Sequence, residues 1–106
     1  MKLLTKAIEK KLPRLYSTLN DTIKKVHIHF FSPYMNMDWY VFEGERITDG
    51  DMTFFGRIDG LYPEYGYFLL SELESQTRFN GKLKLIERDL YFDKNTKYNT
   101  ETNKLC

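Results

Sequence analysis

The sequence predicts an α+β domain: a mainly antiparallel meander sheet of about five strands, with an N-terminal helix and a short helix before the last strand. Three observations carry that expectation. Apolar residues recur at three- to four-residue spacing near the N-terminus, then at a period of two from Val26 onward. Short turn signals separate the period-two runs, among them Asp49-Gly50 and Asp59-Gly60. Ser71 and Glu74 follow the fourth run at the spacing of a capping box, in which each side chain satisfies the other's free backbone N–H.

Taken in order, residues 5–12 read as the first helix. Leu4, Ala7, Ile8, Leu12 and Leu15 share one side, Thr5 is the expected N-cap, and Pro13 disfavours helical backbone at Leu12. Tyr16 to Thr22 reads as a connection. Val26, Ile28 and Phe30 then alternate with His27, His29 and Phe31 in a first strand. A second strand spans Asp38 to Glu43, with Trp39, Val41 and Glu43 on one face and Asp38, Tyr40 and Phe42 on the other. Thr53–Asp59 and Tyr65–Leu70 make the third and fourth, and short loops make antiparallel neighbours. The helix opened at Ser71 is expected to run about two turns and close at Asn80-Gly81, where Gly tolerates the left-handed conformation. A fifth strand is expected over Leu83–Phe92. Residues 1–92 thus form the domain, and 93–106, with only Tyr98 and Leu105 as sizeable apolar residues, read as a flexible tail.

Composition narrows the function classes. Forty-two per cent apolar residues, with eight Tyr, eight Phe and one Trp, is too rich for a disordered chain. A single cysteine, Cys106, excludes a disulfide framework and a thiolate metal cluster. Lys6, Glu9, Lys10 and Lys11 interrupt any secretory apolar run, and no stretch reaches the roughly 20 apolar residues of a membrane span. The expected setting is cytoplasmic, with no membrane partner. A net charge of +1 argues against a general polyanion binder, so nucleic acid is not expected as a direct partner. The basic N-terminal helix, with Lys2, Lys6 and Lys10 on one side, is the only nucleic-acid alternative.

The charge is unevenly spread. Residues 1–25 hold seven bases against two acids, whereas residues 38–75 hold nine acids against Arg46 and Arg57. With the aromatic residues on the same strands, this predicts an acidic, aromatic-rich contact face for a protein partner, comprising Tyr34, Trp39, Glu43, Glu45, Asp49 and Asp51.

Chemistry-bearing constellations are few. The strand Ile86-Glu87-Arg88-Asp89-Leu90-Tyr91-Phe92 sets Arg88 among apolar neighbours, where a guanidinium needs a carboxylate or an anionic ligand. Arg88, Glu43, Trp39 and Asp89 are therefore the candidate pocket, with Glu43 one candidate partner of Arg88. His27 and His29 stand two apart on one strand face, a spacing that metals use, although no third histidine exists. Glu87 and Asp89 share a face as an acid/base pair would. The chain holds no nucleophile elbow, Walker-type phosphate loop or dinucleotide fingerprint, so neither a cofactor nor a catalytic residue is expected.

The strings Met1-Lys2-Leu3-Leu4-Thr5, Leu12-Pro13-Arg14-Leu15-Tyr16, Trp39-Tyr40, Phe54-Phe55-Gly56, Gly66-Tyr67-Phe68, Ser71-Glu72-Leu73-Glu74-Ser75 and Ile86 through Phe92 resemble a family of small bacterial and phage proteins classed as a domain of unknown function. The resemblance covers residues 1–92. It departs from the family pattern at Leu69-Leu70, where Ser-Leu is usual, and His27 and His29 lie outside that pattern. The resemblance implies a mobile-element setting and no catalytic residues. It further implies a non-catalytic accessory protein that binds a protein partner, such as a nucleic-acid-binding host defence nuclease. The alternatives are a small-ligand-binding protein or metal-dependent enzyme built around Arg88, and nucleic-acid binding through the N-terminal helix.

Overall fold

In the computed structural model, which describes residues 1–106, α1 (Lys6–Glu9) is a single turn. The Thr5 hydroxyl accepts the Ile8 N–H at 3.2 Å, as an N-cap does. The turn then tightens, with Lys11 and Leu12 each donating to a carbonyl three residues back, and stops before Pro13. A short strand, β1 (Ile23–Lys25), follows. The meander comes next: β2 (Ile28–Ser32), β3 (Met37–Arg46), β4 (Met52–Asp59) and β5 (Glu64–Leu69). Each is antiparallel to its neighbour, as the short loops require.

The rest of the chain departs from expectation. Helix α2 spans Leu70–Glu74, beginning one residue before Ser71, and Glu72 rather than Glu74 accepts the free backbone N–H, from Leu69. Ser71 instead binds Asp51. Only Leu70 and Leu73 are buried, and Gln76 to Arg78 offer no apolar residue for a second turn. The chain instead forms a hairpin, β6 (Thr77–Arg78) with β7 (Leu83–Lys84). Phe79, Asn80 and Gly81 all take positive φ at its turn, so Asn80-Gly81 serves as a hairpin signal, not a helix stop. The expected strand Leu83–Phe92 is also broken. Leu85 and Ile86 are consecutive and both buried, which ends the alternation, and only β8 (Glu87–Arg88) joins the main sheet, beside β2. The main sheet therefore runs β5-β4-β3-β2-β8.

The segment 93–106, read from sequence as a tail, is corrected by the structure. It forms β9 (Lys97–Asn99) and β10 (Lys104–Leu105), and β9 pairs with β1 in a three-stranded sheet. Tyr98, at 1% exposure, makes this worthwhile: one large aromatic side chain fills the space above Val26 and Phe42.

Two cores result. Ile28, Phe30, Trp39, Val41, Phe54 and Phe68 form the larger on one face of the main sheet, closed by Leu3, by Leu70 and Leu73 of α2, and by Ile86. Val26, Phe42 and Tyr98 form the smaller on the other face, with Tyr40, Phe55, Tyr65 and Phe92 packed around them. The fold is mainly β, with helices of four and five residues. No helix is long and apolar enough to cross a membrane.

A bulge between Val41 and Glu43 fixes the orientation of everything beyond it. Val41 pairs with Gly56 and Glu43 with Phe55, so Phe42 is the extra residue and Glu43 is thrown onto the Phe55 face. Gly56 permits the approach: a Cβ there would lie 1.9 Å from the Tyr40 carbonyl oxygen.

Candidate anion-binding groove

The sheet edge at β2 is only partly covered, because β8 pairs with Phe30 and Phe31 alone. Around the uncovered part runs a groove of about 220 Å³. Its walls come from distant parts of the chain: Lys11 after α1, Lys25 ending β1, His27 just before β2, His29 on β2, Arg88 on β8, and Lys94. Ile8, Val26, Ile28, Leu90 and Phe92 supply its apolar surface.

Its electrostatics are one-sided. Lys11, Lys25, Arg88 and Lys94 face a single carboxylate, Asp89. That carboxylate is occupied. Asp89 Oδ2 lies 3.0 Å from His29 Nδ1, and Oδ1 accepts the Tyr91 N–H at 3.0 Å. The other ring nitrogen of His29 lies 2.6 Å from Asp38 Oδ1, and the ring stacks on Tyr40 at 4.8 Å between centroids. Both ring nitrogens of His29 are thus engaged by carboxylates, which fixes the orientation of the ring.

Arg88 is left without a partner. It belongs to none of the chain's ion pairs, and its Nε is buried with no hydrogen-bond acceptor. A buried N–H on a charged group costs more unsatisfied than a neutral one, so an acceptor atom entering the groove gains on contact. His27 reports the same field. Burial, reinforced by the positive charge of Lys25, holds its imidazole below the ordinary histidine range.

The structure brings Arg88 and Asp89 to this groove and separates them from Glu43 and Trp39. Trp39 lies in the larger core. Glu43 is buried on the opposite sheet face, where the bulge sends it. There Oε1 accepts the Tyr16 N–H at 2.8 Å, and Oε2 accepts the Thr18 N–H at 3.0 Å together with the Thr18 hydroxyl. Its role is to hold the loop before β1. Glu43, one candidate partner of Arg88, is therefore engaged elsewhere.

The six residues expected to form an acidic contact face are also dispersed. Tyr34 is exposed on the β2–β3 turn, whereas Trp39 and Glu43 are buried. Glu45 lies 3.7 Å from Arg14. Asp49 accepts the Asp51 N–H, and Asp51 binds Ser71, which with the Met52 N–H holds its carboxyl below the ordinary value. His27 and His29 both line the groove, and no group of three His, Cys, Asp or Glu is arranged to hold a metal ion. Sequence reasoning did not single out Lys11, Lys25 and Lys94 for this groove, because nothing local distinguishes three lysines that only the fold assembles.

Residues 3–101 match a family model described as a protein of unknown function (DUF2958). No curated protein and no solved structure matches the chain. The chain belongs to the DUF2958 family.

Proposed function

We propose that this DUF2958 member is a non-catalytic binding protein that recognises a phosphate-bearing ligand in the groove around Arg88. One observation carries the reading: four cationic side chains converge on a groove whose only carboxylate is already bonded to His29 and Tyr91, leaving the Arg88 Nε buried and unpartnered. A guanidinium presents a planar fork that fits two phosphate oxygens, and the lysines add point charges around it. Calorimetric titration with inorganic tripolyphosphate tests the proposal. Binding that weakens with salt and falls about tenfold in Arg88→Gln supports it. Equal binding by both proteins refutes it.

A second reading keeps a protein partner, as in an accessory protein of a phage or mobile element acting on a host defence nuclease complex. Leu61 and Tyr62 favour it: they are 86% and 81% exposed at the β4–β5 turn, far from typical for apolar residues of that size. On that reading the turn, not the dispersed acidic residues, makes the contact. Pull-down from host lysate with Leu61→Asp/Tyr62→Asp as control tests it, since a partner retained by the double variant refutes the turn as its site.

A further inference from the structure

Resting on the phosphate-binding reading, we propose that the groove takes a single-stranded nucleic acid, with a backbone phosphate on Arg88 and a neighbouring base stacked on Tyr91. Tyr91, 95% exposed, is the most exposed of the large apolar side chains; it stands outside the groove wall, between Leu90 and Phe92, which both line the groove. Its backbone is held in place. The same Asp89 carboxylate that engages His29 also accepts the Tyr91 N–H, so the turn presenting the ring is tied to the strand bearing Arg88. Three residues of chain span at most about 10 Å, which keeps ring and guanidinium within reach of one short stretch of strand.

The surrounding chemistry fits this ligand class better than a free phosphate. Leu90, 58% exposed, extends the apolar platform beside Tyr91, and Lys94 continues the cationic track beyond it. A cationic groove joined to an exposed aromatic ring is how proteins hold single strands, because every base offers a π-face while a paired duplex does not. The +1 net charge of the whole chain does not oppose this, since three of the acids in residues 38–75 are engaged away from the groove: Glu43 in its loop, Asp51 on Ser71, Asp59 on Arg57.

The test is fluorescence anisotropy with a labelled oligothymidylate of about 10 nucleotides, within the site size of small single-strand binders. Inorganic tripolyphosphate is titrated in parallel by calorimetry. Tyr91→Ala is expected to weaken the oligonucleotide about tenfold and leave tripolyphosphate unchanged. Lys94→Gln is expected to make the salt dependence shallower by about 0.7 in log–log slope, the value for one contact to a single strand. Neither side chain is buried, so neither variant threatens the fold. Tyr91→Ala binding the oligonucleotide as wild type does, or a duplex binding more tightly than the single strand, overturns this inference while tripolyphosphate binding lost in Arg88→Gln still upholds the groove. Loss of neither ligand in Arg88→Gln overturns both.

Discussion

Replacing Glu43 by Gln should destabilise the protein by about 2–4 kcal/mol without touching ligand binding. The carboxylate is 2% exposed and accepts two backbone N–H groups, from Tyr16 and Thr18, one on each oxygen. Thr18 also donates its hydroxyl to Glu43 and accepts from Lys24, which is itself buried. A glutamine keeps one oxygen and turns an NH2 group toward the other donor. At least one backbone N–H is then buried without an acceptor, at about 1–3 kcal/mol, and the bonds that remain lose their charge assistance. Lys24 also loses the nearby negative charge. The loss corresponds to a fall in Tm of roughly 10–20 °C in a domain of this size. Urea unfolding followed by Trp39 fluorescence reads it directly, because Trp39 is the only tryptophan and lies in the larger core. Glu45→Gln is the control: its ion pair with Arg14 is long and exposed, and its removal should stay within about 0.5 kcal/mol. A Glu43→Gln protein as stable as wild type, or one stable but unable to bind tripolyphosphate, refutes the assignment of Glu43 to structure.

Gly56→Ala should prevent folding or lower stability by more than about 3 kcal/mol, since the new Cβ meets the Tyr40 carbonyl oxygen of the adjacent strand; soluble yield and circular dichroism check it. Tyr98→Phe should raise stability at neutral pH by about 1 kcal/mol, because the hydroxyl is buried with no hydrogen-bond partner, and urea midpoints read the change. Burial, opposed by the Arg57 charge and aided by Asp59, pushes the Tyr98 phenol up to about 12, and burial beside Asp38 does the same for Tyr40. The folded protein therefore keeps protons that the unfolded chain releases near pH 10, so stability should fall as pH rises from about 10 to 12, less steeply in Tyr98→Phe. His27 acts in the opposite direction. Its folded value lies below 6.5, so the unfolded chain binds the proton first, and its contribution to stability is present above pH 6.5 and lost as pH falls through the folded value. His27→Gln should flatten that acid limb, and tripolyphosphate among Lys11, Lys25, Arg88 and Lys94 should shrink it.

How much of this was legible depended on whether a signal was local. The four meander strands follow from alternation within each strand, and Trp39 and Val41 face the larger core as alternation requires. Glu43 does not, because Val41 and Phe42 are both apolar and nothing in the letters marks the bulge between them. The segment 93–106 looked too polar to pack, yet one tyrosine inserted above Val26 and Phe42 anchors it, with turns set by Asn99 and Asn103. The capping-box spacing at Ser71 marked a real helix start and misplaced its cap by two residues, since Leu69 is the N-cap. Arg88 was legible because a cation in an apolar strand is unusual. Its lysine neighbours were not, since Lys11, Lys25 and Lys94 meet only after β1, β2 and β8 come together.

The central claim, that Arg88 awaits an anionic partner, is tested most directly at its own Nε–H. In proton–nitrogen NMR spectra, saturating tripolyphosphate should shift the Arg88 Nε–H resonance and slow its exchange with water, with smaller shifts at His27 and at the Asp89–Tyr91 turn. Shifts confined to Lys2, Lys6 and Lys10 on the N-terminal segment, with Arg88 unmoved, would contradict the account.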